Sequence, residues 1–221
     1  VAFLLLYGDL PNKNQFEKWS NNILANIYVH EDLKKLIRCF NYDAHPMSML
    51  ISSLTALSTF YPEANPALEG LDIYNNKEIC NKQISIIIGK IITLSTLIYR
   101  HKLGRPYNNP KKGLNYIENF LFMKDYLNQE NYIPDKIIID TLNKIFILHA
   151  DHELNCSTAA VRHIASSGVD IYISIVGGMC ALYGHKHGGA CEAVIRMLES
   201  IHKLENINEL CRRFKEINTS V

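Results

Sequence analysis

Apolar residues recur three and four positions apart along almost the whole chain, the mark of helices that turn one face to a core. Phe16, Trp19, Ile23 and Ile27 share one stripe, and Leu33, Leu36, Ile37 and Phe40 share the next. Glu31 and Asp32 stand where acidic side chains favour a helix start. A third helix is expected from Pro46 through Met49, Leu50, Ser53, Leu54 and Leu57. Proline suits its first turn because an N–H there would have no partner. The run Tyr61-Pro62-Glu63-Ala64-Asn65-Pro66 breaks this segment, and a long apolar helix follows over 77–100, stopped by Gly104-Arg105-Pro106. Segments 115–123, 134–148, 157–166 and 169–182 continue the pattern, and a last pair is expected over 191–204 and 208–217.

Strand signals are sparse. Residues 84–88 and 136–139 are rich in isoleucine but lie inside longer helical periods. The alternation Ile171-Tyr172-Ile173-Ser174-Ile175 is the best single candidate. Isolated strands do not make a sheet, so the expected fold is all-α and multi-helical, with short connections marked by proline and glycine. Gly177 and Gly178 fall within an apolar helix, where a missing side chain lets a neighbour approach closely. The longest apolar stretch, 84–99, contains Lys90 and is shorter than a bilayer span requires, so it reads as a buried helix and no membrane partner is expected.

Composition narrows the classes. A chain of 221 residues with 48% hydrophobic and 20% charged residues has ample material for a core. Its 23 basic and 22 acidic residues leave a net charge of +1, which gives no footprint for nucleic acid. Six scattered cysteines, none in CxxC spacing, read as reduced, packed thiols of an intracellular protein. The chain opens at Val1 within a helical run, Ala2-Phe3-Leu4-Leu5-Leu6-Tyr7, with no targeting signal, and is expected to be a fragment.

The candidate chemistry lies between His149 and His187, which hold five of the nine histidines. His149, His152 and Glu153 stand at i, i+3 and i+4 and can share one helical face. Zinc sites use such spacing, with His185 or His187 as a further ligand, but the pattern is neither HExxH nor its inverse, so no metal site is expected. The plain alternative is that these histidines are hydrogen-bonded packing residues. Gly184 and the pair Gly188-Gly189 favour more, since they leave room for a ligand or a hinge. Asn155, Ser157 and Thr158 can cap the following helix and leave N–H groups facing a carboxylate. A site for an anionic small molecule fits this chemistry; the spacing does not choose the anion.

Two longer motifs carry a resemblance. His149-Ala150-Asp151-His152-Glu153-x-Asn155-x-Ser157-Thr158 and Leu182-Tyr183-Gly184-x-x-His187-Gly188-Gly189-Ala190 resemble citrate synthases of the bacterial type. Shorter matches precede them in order: Leu5-Leu6-Tyr7-Gly8-Asp9-Leu10-Pro11, Asp43-Ala44-His45-Pro46-Met47, Gly104-Arg105-Pro106-Tyr107 and Asn119-Phe120-Leu121. Together they cover the whole chain.

The resemblance implies an all-α fold with a large domain over 1–187, lacking its beginning, and the start of a small domain over 188–221. It implies a homodimer or homohexamer that condenses oxaloacetate with acetyl-CoA and hydrolyses citryl-CoA to citrate and CoA. Acetyl-CoA is a co-substrate, and no cofactor is implied. His187 matches the histidine that polarises the thioester carbonyl during enolisation, a donor aimed at developing oxyanion charge. His152 matches the histidine that hydrogen-bonds oxaloacetate, and Asn155 supports the same pocket. Gly188 and Gly189 match a position near the domain junction, as a hinge or beside CoA. A second catalytic histidine, a general-base aspartate and substrate-binding arginines are implied beyond Val221, so the isolated piece is expected to be inert. The family commonly has proline where His185 stands and asparagine where Cys191 stands. A related 2-methylcitrate synthase is one alternative; a metal-dependent hydrolase using His149 and His152 is another. Cytoplasm is the expected compartment, with the mitochondrial matrix as the other possibility. His45-Pro46-Met47 reads as a turn into a helix, Arg162 and His163 as local charge contacts, and Trp19 as packing. Apolar helix faces in the N-terminal half suit a subunit interface.

Overall fold

A computed structural model describes residues 1–130, 132–150, 153–201, 207 and 212, with the side chains of 71, 72 and 200 left aside. The helices run α1 (Ala2–Tyr7), α2 (Lys13–Ala25), α3 (Glu31–Arg38), α4 (Pro46–Ser58), α5 (Pro66–Glu69), α6 (Lys77–Lys102), α7 (Tyr116–Asp125), α8 (Lys136–Leu148), α9 (Cys156–Ala165), α10 (Ile171–Leu182) and α11 (Gly188–Ser200). Short 3-10 turns at Pro62–Ala64 and Leu71–Asn75 flank α5. No strand occurs among the described residues.

Short polar side chains set where the helices begin. Asn12, His30, His45, Asn65, Asn76, Asn115, Asp135, Asn155 and Asp170 open α2 to α10, each accepting from a backbone N–H two or three residues on. Each cap satisfies a donor that the helix itself cannot. The cap at Asp170 explains why the 171–175 alternation is helical: its carboxylate takes the Ile173 N–H at 2.9 Å and starts a helical turn. Tyr172 is then wholly buried, donating to Gln83 Oε1 at 2.6 Å and stacking on Tyr61.

α6 is the axis of the core. Leu33 and Ile37 of α3, Met49, Leu54 and Leu57 of α4, and Tyr172 and Met179 of α10 pack with its Ile86, Leu94 and Leu97. By length and composition α6 could cross a membrane, yet 67% of its most apolar window is buried within the protein, as a core helix requires. At its middle, Gly89 admits the end of α2: an added Cβ would lie 2.6 Å from the Ile23 carbonyl oxygen. Beside it, Lys90 Nζ donates to the Asn26 and Tyr28 carbonyls, and Thr93 Oγ1 donates to that of Ile27 at 2.6 Å. Burial pulls the Lys90 ammonium below its ordinary value.

The last turn of α6 ties down three loops. Arg100, 1% exposed, donates to the carbonyls of Pro106, Lys124 and Tyr126. His101 Nε2 bonds Phe40 O at 2.9 Å, and Lys102 Nζ reaches Tyr42 O at 3.0 Å and Ala44 O at 2.6 Å. The α3–α4 loop, which ends at His45, is thereby fixed to the core.

Gly177 and Gly178 do what their position predicts. A Cβ on Gly178 would lie 2.5 Å from Val161 Cγ2 and 3.2 Å from Ser157 O. On Gly177 it would lie 1.9 Å from Ile164 Cδ1. The glycine pair therefore lets α9 lie directly against α10, which brings Ser157 to the C-terminal side of the core. α8 differs from α10: it has no buried residue, and Ile137, Ile147 and Leu148 are exposed.

Candidate active site

α10 ends at Leu182, and residues 184–187 form a tight turn closed by the His187 N–H on Gly184 O at 2.9 Å. α11 then begins at Gly188, three residues before the start expected from apolar periodicity. The glycine pair is its first turn and not a loop. A Cβ on Gly188 would lie 2.5 Å from Leu182 O, and one on Gly189 would lie 3.1 Å from Gly184 O. These glycines are needed for close folding of the turn onto the helix.

His187 occupies the N-cap of α11 but makes no side-chain cap. Its Nε2 instead meets Ser157 Oγ at 2.7 Å, on the first turn of α9. The two histidine-bearing segments, 30 residues apart at this contact, are thus joined by a hydrogen bond between side chains. His187 and Ser157 are both half-buried, so the imidazole is held yet open to a ligand.

Asn155, expected in the substrate pocket, is half-buried and caps α9, accepting from the Thr158 N–H at 2.9 Å. His152 lies outside the described residues. His149 ends α8, exposed, with Nδ1 2.8 Å from Ile145 O. Among the described residues no three metal-ligating side chains converge. His185 and Lys186 form the exposed tip of the turn. Cys191 lies exposed on the first turn of α11. The five described cysteines are free, and Cys39, Cys156, Cys180 and Cys191 are exposed, where packed thiols were expected. The Asn208–Ile217 helix expected from sequence falls almost wholly outside the described residues.

Two further residues belong to this neighbourhood. His45, the cap of α4, places Nε2 3.0 Å from Glu192 Oε2 on α11. Its ring lies 4.5 Å from that of Tyr183, at the end of α10. The His45 hydrogen bond, followed by the Arg196 charge, holds the Glu192 carboxyl below its usual range. Sequence reading assigned His45 to a turn and Ser157 to a helix cap. Only the presence of both in the motif segments hinted at more.

A cleft of about 710 Å³ lies elsewhere, between α1, α6, α9 and α10, lined by Leu5, Leu6, Ile84, Ile88, Val161 and Ile175. Its lining is almost wholly apolar, unlike a pocket for small anions.

Comparison with known proteins agrees with the helical fold. The family described as "Citrate synthase, C-terminal domain" matches residues 1–219. A citrate synthase of Dictyostelium discoideum is 55% identical over 98% of this chain, and the match spans 42% of that protein. A peroxisomal citrate synthase of the same organism is 55% identical over 94% of the chain and 42% of its own length. A glyoxysomal citrate synthase of Cucurbita maxima is 46% identical over 97% of the chain and 42% of its own length. Among solved structures, citrate synthase of Thermoplasma acidophilum, in a ternary complex with carboxymethyl coenzyme A and oxaloacetate, superposes with TM-score 0.81 at 25% identity, covering 94% of this chain and 51% of that one. The chain thus spans about half or less of the relatives it matches. The peroxisomal and glyoxysomal names overturn the cytoplasmic expectation and its mitochondrial alternative. Free thiols carry no information on which intracellular compartment holds them. Family membership, carried by the full-length match and by 55% identity, is direct: the chain belongs to the citrate synthase family.

Proposed function

We propose that the complete protein condenses acetyl-CoA with oxaloacetate and hydrolyses the resulting citryl-CoA to citrate and CoA. The observation that carries this reading is the 2.7 Å contact between Ser157 Oγ and His187 Nε2, which joins the two motif segments. If the Ser157 hydroxyl donates, the neutral imidazole keeps its proton on Nδ1 and can offer it to a substrate. Removing a methyl proton next to a thioester drives negative charge onto the carbonyl oxygen. A fixed neutral donor stabilises that charge more than it stabilises the starting thioester carbonyl. His187 is the proposed donor. His152 hydrogen-bonds oxaloacetate in this reading, and Asn155 supports the pocket by fixing the start of α9. The reaction involves no net redox change and asks only for donors and a base, consistent with no metal or organic cofactor.

The same reading divides the chain into a large domain over 1–187 and the start of a small domain over 188–221, with Gly188-Gly189 at the junction. Exposed apolar residues on α1 and α8 are proposed to be covered in a homo-oligomer. The peroxisomal relatives favour that compartment. Acetyl-CoA is preferred over propionyl-CoA, in keeping with relatives named citrate synthase.

His187→Ala in the complete protein tests the reading. Loss of one oxyanion donor is expected to lower kcat by about 10²–10³. An unchanged kcat overturns the role of His187, and faster turnover of propionyl-CoA than of acetyl-CoA overturns the substrate assignment.

A further inference from the structure

The loop that carries His187 is held from outside by a residue that the motif chemistry leaves unused. His45 uses both nitrogens of its ring. Nδ1 accepts from the Met47 N–H at 3.2 Å, capping α4. A ring nitrogen that accepts carries no proton, so in the neutral imidazole the proton sits on Nε2 and points at Glu192 Oε2, 3.0 Å away. The other Glu192 oxygen is bonded by Arg196, one turn further along α11. The face of the same imidazole lies against Tyr183, ring centroids 4.5 Å apart.

One side chain therefore grips the chain on both sides of His187: four residues before it at Tyr183 and five after it at Glu192. Its own base is anchored in the core. α4 is packed into the core through Met49, Leu54 and Leu57, and Lys102 bonds Ala44 O immediately before it. Between the two grips, and among the described residues, the turn 184–187 is held by backbone bonds and by the side-chain bond from His187 to Ser157. α11 also lacks the side-chain cap that opens α2 to α10. Its first N–H groups bond the backbone carbonyls of Gly184 and His187, and the His45–Glu192 contact anchors its second turn from outside.

We propose that His45 is a positioning residue: through Glu192 and Tyr183 it fixes the start of α11 and so the direction of the His187 imidazole. It touches no reacting atom. The proposal rests on the reading of His187 above, because positioning matters for catalysis only if that ring meets the thioester.

The test uses the complete protein with His45→Asn, Glu192→Ala, Glu192→Gln and the double variant His45→Asn/Glu192→Ala. Asparagine is a good N-cap, so His45→Asn keeps α4 capped while losing the reach to Glu192 and Tyr183. Two readouts are taken, the His187 ring resonances by NMR and steady-state kinetics with acetyl-CoA and oxaloacetate. Misplacing the donor is expected to move those resonances and to lower kcat about tenfold, with the oxaloacetate KM within about twofold of the parent. Glu192→Ala should do the same, the double variant no more than either, and Glu192→Gln, which still accepts from Nε2–H, should restore most of the rate. Unmoved His187 resonances in His45→Asn and Glu192→Ala overturn the brace, even if the melting temperature falls. Moved resonances in a parent protein that makes no citrate uphold the brace and overturn the proposed function instead.

Discussion

The C-terminal end of α6 and the N-terminal end of α11 put basic side chains to opposite uses. At α6, Arg100, His101 and Lys102 are consecutive and each is bound to backbone carbonyls of neighbouring loops. Their polarity goes into holding the chain together. At α11, His187 sits where nine other residues cap a helix, yet its ring bonds another side chain, Ser157, and stays half-buried. A side chain bonded to backbone is fixed by the fold and unavailable to a ligand. One left out of the capping pattern is free for chemistry, but something else must aim it. Ser157 and the His45–Glu192 contact supply that aim.

Two glycines sharpen the contrast. Gly89→Ala would set a Cβ 2.6 Å from Ile23 O and 3.0 Å from the Asn26 carbonyl carbon, both backbone atoms that cannot swing aside. It should destabilise the complete protein by about 3 kcal/mol and lower Tm by several degrees, with kcat of the folded protein unchanged. Gly178→Ala meets Val161 Cγ2 at 2.5 Å and, more gently, Ser157 O at 3.2 Å. Its stability cost should be about 1–2 kcal/mol, but α9 is pushed from α10 and Ser157 moves with it. Here kcat should fall beyond what the stability loss explains. Equal kcat losses in both variants, each measured below its own Tm, would remove the distinction between a packing glycine and a site-building one.

Much of this was legible in the chain. The helical periodicity gave the core stripes of α3, α4 and α6, because a buried face needs apolar residues at that repeat whatever lies opposite. Asn155 as a cap and Gly177-Gly178 as a close approach also followed locally. The start of α11 was placed too late, since glycines lower helix propensity and only tertiary crowding by Leu182 and Gly184 explains them in a first turn. The strand-like alternation at 171–175 yielded to the Asp170 cap and the burial of Tyr172. The polar contacts of the site were illegible for a simpler reason. Ser157 and His187 are 30 residues apart, and His45 and Glu192 are 147 apart, and no local pattern encodes such pairings.

Acidity probes the second of those pairings. The His45 hydrogen bond, then the Arg196 charge, lowers the Glu192 carboxyl below its ordinary value of 4.5. A carboxyl whose folded pKa is depressed contributes stability that is fully present above its unfolded value and is lost as pH falls through the folded one. The α11 contact should therefore persist from neutral pH down through the ordinary carboxylate range and weaken only below it. Glu192→Gln removes this titration, so Tm measured from pH 6 downward should fall less steeply in the variant below about pH 4.5 than in the parent. Since the carboxylate is exposed, the difference is small and shrinks further with added salt. Parallel curves at every pH would show that Glu192 is not held in this way.

The smallest expected effect lies at the tip of the turn. The bond from His187 N–H to Gly184 O closes a four-residue turn in which His185 is the second residue. Proline is favoured at that place because its ring already holds the backbone angle the turn needs. A proline there would start with a stiffer loop, whereas His185 leaves the chain with more freedom in its unfolded state. His185→Pro should stabilise the complete protein by about 0.4–1 kcal/mol, chiefly by narrowing that freedom, with kcat unchanged or slightly raised. Thermal melting of the two proteins, compared at one concentration, reads the difference. A fall in Tm would mean that the backbone at His185 departs from the turn geometry, and that His45 and Ser157 alone hold His187 in place.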